Sequence, residues 1–216
     1  MRRFGKATLL FALLLPALWA FVGGWAVVSV VDPPEYGVAG TPLMLTFVVR
    51  QHGVELLKDL RPEVEARLGG QEVGAAAKAV KDGQYTASLT FPQPGNWSVT
   101  IRSGFGNSKL TLLPVRVVPR GSIAPAPLWE VERGRLLFAA KGCVGCHVRS
   151  ELGGGEDSPN FGPDLTGKRF EAGFLSRWLS DPATMGPPRY GKGPMPNPRL
   201  KPGEIAALSS YLNSSR

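Results

Sequence analysis

The chain has 216 residues, 43% of them hydrophobic and only 19% charged; this allows one large domain or two small ones and excludes global disorder. Two cysteines exclude a disulfide-rich scaffold and a four-cysteine zinc site, and two histidines, His52 and His147, exclude any site that needs three imidazoles. The net charge of +8 is spread along the chain, with no basic stripe or aromatic-basic patch of the kind that binds nucleic acid.

No charged residue lies between Ala7 and Val31, a run of 25 residues. As a helix such a run rises about 1.5 Å per residue and can cross a hydrocarbon core of about 30 Å. Arg2, Arg3 and Lys6 precede it and Asp32-Pro33-Pro34 ends it. By the positive-inside rule the N-terminus stays in the cytoplasm and the rest is exported. The expectation is a signal-anchor transmembrane helix over residues 1–31 in the cytoplasmic membrane, with the remaining domains on the periplasmic side. A cleaved signal peptide with Gly24-Trp25-Ala26 as its small-x-small site is the alternative, although the run is longer than a signal needs.

Residues 33–118 read as short strands. Leu43 to Val49 is one; in Gln84 to Phe91, Tyr85, Ala87, Leu89 and Phe91 alternate onto one face. Trp97, Val99 and Ile101 continue the pattern, and Leu110, Leu112, Val115 and Val117 close it. Turn signals such as Lys81-Asp82-Gly83 and Pro94-Gly95-Asn96 separate them, which predicts an all-β antiparallel sandwich. The stretch from Asp82-Gly83-Gln84-Tyr85 to Pro94-Gly95-Asn96-Trp97 resembles the immunoglobulin-like exported domains of the YtkA and FixH type. A blue or binuclear copper centre in the sandwich would need a thiolate, and both cysteines lie elsewhere. Met44 and His52 are the only soft donors left for a copper(I) site; the plainer assignment is Met44 in the core and His52 in a turn. The module is expected to act as a spacer or docking unit.

Residues 119–127, Pro119-Arg120-Gly121-Ser122-Ile123-Ala124-Pro125-Ala126-Pro127, form a proline-rich linker. From residue 128 to 216 the pattern is helical: Trp129 to Lys141, Phe170 to Leu179 and Pro202 to Leu212. Within it stands Cys143-Val144-Gly145-Cys146-His147. On a helical turn, residues i, i+3 and i+4 share a face. Both thiols can add across the two vinyl groups of one haem while the imidazole reaches the iron, and this spacing reads as covalent haem attachment. A zinc site lacks a fourth ligand, a thioredoxin-like dithiol lacks its βαβ unit, and a disulfide here would close only a tiny loop.

An electron carrier also needs a sixth iron ligand, and Met185 and Met195 are the methionines downstream. Met195 sits among three prolines in Gly193-Pro194-Met195-Pro196-Asn197-Pro198, a stiff loop suited to holding a weak thioether ligand; Met185 has less rigid surroundings. His147 and Met195 are therefore the expected axial pair, a combination that raises the potential relative to two imidazoles. Met in a core as a gap-filler is the bland alternative for either.

From about Trp129 to Leu212 the chain resembles a class I c-type cytochrome domain, an all-α fold. Gly134 to Cys143 is similar to the family's first helix and haem motif, and Phe161-Gly162-Pro163-Asp164-Leu165 to its Gly-Pro-x-Leu segment. Phe174 to Pro182 is similar to the middle helix, and Met195-Pro196 with Glu204 to Leu212 to the methionine loop and last helix. The resemblance implies one covalently bound haem c and a bond from His147 Nδ1–H to the Pro163 carbonyl, which would orient the ring. Trp178, Tyr190, Arg189, Lys168 and Arg169 are candidates for the haem propionates, Tyr190 and Trp178 foremost because a buried Tyr or Trp seeks a partner for its polar atom. One departure stands out: Lys201 occupies the cap position of the last helix, where a hydroxyl acceptor is usual, and lysine cannot accept.

The expected function is that of a membrane-anchored monohaem cytochrome, not itself an enzyme, passing single electrons between redox protein partners of a respiratory chain. The alternative is a fixed subunit of a larger oxidase, reductase or dehydrogenase complex, docked through the sandwich. A haem-based sensor and a copper chaperone are two further classes, distinguished by ligand binding and metal analysis.

Overall fold

The computed structural model describes residues 24–152, 161–186 and 194–214. Residues 1–23, which hold most of the expected membrane helix, and the propionate candidates Arg189 and Tyr190 lie outside the described residues. Among the described residues no helix is long and apolar enough to cross a membrane.

Among the described residues eleven strands come first: β1 (Ala26–Val30), β2 (Gly37–Val38), β3 (Pro42–Gln51), β4 (Glu55–Leu56), β5 (Glu63–Leu68), β6 (Gln71–Ala76), β7 (Lys78–Ala79), β8 (Gln84–Thr90), β9 (Gly95–Arg102), β10 (Lys109–Thr111) and β11 (Val115–Val118). They form two sheets. One has five strands in the order β1-β3-β8-β7, with β4 also on β3; the other has six in the order β2-β11-β9-β5-β6, with β10 also on β9. Pairing is antiparallel except for β2 and β11, which run parallel with Gly37 opposite Val117. The alternating residues close the space between the sheets: Tyr85, Ala87, Leu89 and Phe91 from β8 and its end, and Trp97, Val99 and Ile101 from β9, are all buried. The Tyr85 hydroxyl donates to the Leu57 carbonyl at 3.2 Å and accepts the Leu60 N–H at 3.0 Å, so its one polar atom is satisfied inside the fold.

Two expectations need correction. The helix expected to reach Val31 does not, because Ala26–Val30 is strand β1, with Val28 opposite Val49 and Val30 opposite Phe47. An unbroken apolar run has no period that separates helix from buried strand, and β-branched valines favour the strand. Met44, expected in the core, is 56% exposed. It lies eight residues from His52, which turns the chain at the far end of β3 with φ 52°. At about 3.4 Å per strand residue the two are roughly 25 Å apart, too far to share a metal.

The linker forms neither helix nor strand. Its two ends are tied to the sandwich, by Arg120 Nη2 to the Gly40 carbonyl at 2.6 Å and by the Leu128 N–H to Glu35 Oε2 at 3.1 Å. Beyond it lie α1 (Glu130–Ala140), α2 (Phe174–Ser180) and α3 (Pro202–Asn213). Helices α1 and α3 cross at Gly134, where a Cβ would run into the Ala207 carbonyl and stand 2.6 Å from Tyr211 Cβ. Around this crossing Leu137, Phe138, Leu165, Leu175, Leu179, Ile205, Leu208, Tyr211 and Leu212 form a second core. At the start of α3 the cap is one-sided: the Lys201 N–H donates to Glu204 Oε2 at 2.8 Å, while the Glu204 N–H returns to the Lys201 carbonyl instead of to a side chain.

The two domains are packed together. Ser29 Oγ donates to the Lys141 carbonyl at 2.8 Å, and Lys141 Nζ donates to the Val31 carbonyl at 2.6 Å. The same ammonium pairs with Glu204 Oε1 at 2.7 Å, the two side chains being only 9% and 5% exposed. At the rim Lys201 Nζ meets Asp32 Oδ1 at 2.6 Å.

Candidate functional site

Helix α1 ends at Lys141, and a left-handed Gly142 turns the chain into a 3-10 turn over Cys143–Gly145. The N–H groups of Cys146 and His147 both donate to the Cys143 carbonyl, at 3.1 and 2.9 Å. One backbone acceptor thus fixes the spacing of both thiols and the imidazole. Burial, with a smaller contribution from Cys146, pushes the Cys143 thiol up to about 12, and burial also raises Cys146.

His147 Nδ1 lies 3.0 Å from the Pro163 carbonyl oxygen. With its proton on Nδ1 the ring donates there and leaves Nε2 its lone pair. Burial holds the imidazole below its ordinary value, and the bond to Pro163 works against that shift. The Gly162 backbone lies close against the ring, since a Cβ there would stand 2.5 Å from Nδ1 and 2.9 Å from Nε2. The Gly162 N–H returns to the Cys146 carbonyl at 2.9 Å, fastening this loop to the thiol turn.

Met195 and Cys143 pack against the same helical core. The Met195 sulfur accepts Trp178 Nε1–H at 3.1 Å. Trp178 ends a ladder of rings in which Phe170 stacks on Phe174 at 5.7 Å and Phe174 on Trp178 at 5.6 Å. The indole donor therefore faces the thioether. Asn197 holds the methionine loop from its other side, donating to the Ser180 carbonyl at 3.3 Å and accepting the Arg199 N–H at 2.8 Å. Met185 ends a separate 3-10 turn, Pro182–Met185. Lys168 is exposed, and the exposed Arg169 reaches the Asn213 carbonyl at 3.3 Å.

Arg149, which nothing in the sequence pattern singles out, is 1% exposed. Its guanidinium binds Glu151 Oε1 at 2.5 Å and the carbonyls of Leu165, Leu212 and Tyr211 at 3.2–3.3 Å, and it lies 4.6 Å over the Tyr211 ring. Carbonyls at a helix C-terminus lack intrahelical donors, and a cation there is favourable. Arg149 therefore ties the segment after the thiol turn to the end of α3. An arginine two residues after a polar motif looks like surface charge, and its burial is set by contacts 62 and 63 residues away.

Two thiols and an imidazole on one turn, a ring nitrogen freed by Pro163 and a thioether in the same core form a donor set that fits a covalently attached haem. Residues 131–216 match the family model Cytochrome c. No curated protein matches the chain. Among solved structures the chain is similar to the Lin-41 filamin domain, at 13% identity over 44% of this chain and 93% of that one with a TM-score of 0.36. It is also similar to the PKD domain of the human VPS10 domain-containing receptor SorCS2, at 22% identity over 45% and 76% with a TM-score of 0.27. A protein from Bacteroides vulgatus described as a glycoside hydrolase matches at 16% identity over 41% of this chain with a TM-score of 0.33, and the match spans only 17% of that protein's length. The C-terminal domain is a cytochrome c domain, which implies a covalently bound haem c and a haem-based electron carrier.

Proposed function

We propose that the protein is a membrane-tethered monohaem cytochrome that passes single electrons between respiratory components on the exported side of the cytoplasmic membrane. Cys143 and Cys146 would hold the porphyrin by thioether bonds, with His147 and Met195 as the axial ligands of its iron. When bound, the haem supplies a one-electron couple. The observation that carries this is the pair of restraints on the two ligands: the Pro163 carbonyl fixes the His147 ring, and the Trp178 N–H holds the Met195 sulfur. A site filled on both faces exchanges electrons and leaves no open position for substrate chemistry.

Strand β1 starts at Ala26, so the charge-free run ahead of it is Ala7 to Trp25, 19 residues. As a helix that is about 28 Å, the short end of a membrane span. It would place the sandwich directly at the membrane surface, and part of the sandwich resembles exported immunoglobulin-like domains. The tether raises the effective concentration of haem near its partners. The positive charges of the cytochrome domain would steer it to an acidic patch on a redox protein, an effect that salt weakens.

The test is spectroscopic. Matured protein should show sharp reduced bands of a c-type cytochrome and no carbon monoxide binding when reduced at neutral pH, and Met195→Ala should lose the sulfur-to-iron band. Rapid carbon monoxide binding by the wild type would overturn the two-ligand assignment. Solubilised in detergent after a salt wash, a mobile carrier comes away alone; persistent co-purification with a larger complex would instead mark a fixed subunit.

A further inference from the structure

The sandwich touches all three loops that carry haem-binding residues, and it does so from one edge. First, the thiol turn rides on β1: a Cβ on Gly142 would stand 2.6 Å from both Val27 Cγ1 and the Val28 carbonyl oxygen. Val144, between the two cysteines, packs against the sandwich core and the helical core alike. Second, Trp25 stacks on Phe161 with ring centroids 4.7 Å apart and planes 26° apart. Phe161 directly precedes Gly162, which lies against the His147 ring, and Pro163, whose carbonyl accepts its Nδ1–H hydrogen bond. Third, the turn after β3 abuts the methionine loop. A Cβ on Gly53 would stand 2.7 Å from Pro196 Cγ, and Pro196 follows Met195. His52 joins the second and third contacts, since its N–H donates to the Trp25 carbonyl at 3.1 Å and its ring meets the Trp25 indole edge-on at 5.4 Å.

We infer that the β-sandwich is a brace for the haem-binding loops, with Trp25 as a positioning residue that holds the histidine loop and, through His52 and Gly53, the methionine loop. The inference rests on the assignment of His147 and Met195 as axial ligands. The physical reason is the weakness of the iron–thioether bond. A loop that keeps the sulfur in place does so through its own packing, and here part of that packing belongs to the other domain. The sandwich is then neither spacer nor docking unit alone; it is part of the coordination machinery. It follows that Trp25 is retained in the mature chain, because cleavage after Ala26 would remove it.

The experiment compares full-length, haem-loaded wild type with Trp25→Ala and Trp25→Phe. Loss of an aromatic stack should raise the population of loop-open protein about two- to tenfold. That rise is read as faster carbon monoxide binding by the reduced form and as earlier loss of the sulfur-to-iron band on warming, both restored by Trp25→Phe. Gly53→Ala, which presses on Pro196 without touching Trp25, should shift the same two readouts while circular dichroism stays that of the folded protein. Unchanged band persistence, carbon monoxide kinetics and midpoint potential in both Trp25→Ala and Gly53→Ala overturn the brace. A mature N-terminus beyond Trp25 overturns it as well. A wild type with no sulfur band refutes Met195 as ligand and with it the methionine arm; a midpoint-potential shift in Trp25→Ala then supports the histidine arm, and its absence refutes that too.

Discussion

Replacing Lys141 by methionine tests the joint between the domains. The ammonium has two partners, Glu204 Oε1 at 2.7 Å and the Val31 carbonyl at 2.6 Å, and both charged side chains are nearly sealed from water. Methionine keeps most of the length of the side chain and removes the charge. It leaves one carboxylate oxygen of Glu204 and one carbonyl of the sandwich without their donor, while the other carboxylate oxygen keeps the Lys201 N–H. Removing one partner of a buried ion pair costs about 3–5 kcal/mol, and the surviving backbone donor places this case near 3. That is a factor of more than about 100 in the folded ratio, since about 1.4 kcal/mol is tenfold. Urea unfolding of the haem-loaded protein, followed by haem absorbance for one domain and by amide hydrogen exchange of β8 and β9 for the other, reads it directly. In the wild type the two probes should move together; in Lys141→Met they should separate, with the haem domain opening first. Adding Glu204→Gln should recover a large part of the loss, because the stranded charge is then gone. A cost below about 1 kcal/mol, or a double variant no better than the sum of its parts, would refute the claim that this pair is both buried and uncompensated when broken.

Three further outcomes follow from the site. Trp178→Phe removes the donor to the Met195 sulfur and keeps a ring against Phe174; it should destabilise the methionine loop by about 0.5–1.5 kcal/mol, seen as loss of the sulfur-to-iron band at lower temperature. Gly134→Ala forces a methyl group into the Ala207 carbonyl; overpacking of about 1–3 kcal/mol or more should lower the thermal midpoint of the haem domain, and an unchanged midpoint would contradict the close crossing of α1 and α3. Burial pushes the Glu151 carboxyl upward, but hydrogen bonds from Arg149, its own amide and Tyr211, together with the Arg149 charge, outweigh this and hold it below its ordinary 4.5. A depressed carboxyl stabilises the fold above its unfolded value, and that share is lost as pH falls through the lowered one. Stability measured from pH 6 downward should therefore fall less steeply below 4.5 in Glu151→Gln than in the wild type.

What could be read from the chain and what could not divide along a physical line. Strands β8 and β9 announce themselves because one face is apolar and the other polar, so period two is visible. Strand β5 alternates too, but as Glu63-Val64-Glu65-Ala66-Arg67, with small or single apolar residues, and β6 is Gln71-Glu72-Val73-Gly74-Ala75-Ala76, with one large apolar residue; neither rises above a polar loop until its partners are known. Strand β1 was hidden for the opposite reason, being apolar but for Ser29 and continuous with a charge-free run. The thiol turn and His147 were legible because covalent attachment needs a fixed spacing within five residues. Pro163 could be placed only through a resemblance. Arg149, Lys141 and Trp25 could not be placed at all, since each owes its role to a partner far away in the chain. A charge or an aromatic ring looks the same in sequence whether it faces water or another domain.

Ile123 and Trp129 stand almost wholly in solvent, 95% and 84% exposed, on the segment that joins the halves. A protease would find its easiest cut there, yet the nicked pieces would stay together, held by the Lys141 pair, the Trp25 stack and the β1 seat under Gly142. The peptide connection matters for bringing the two parts to each other and little for keeping them so. The same coding sequence, interrupted at that point, would yield two polypeptides able to reconstitute the whole.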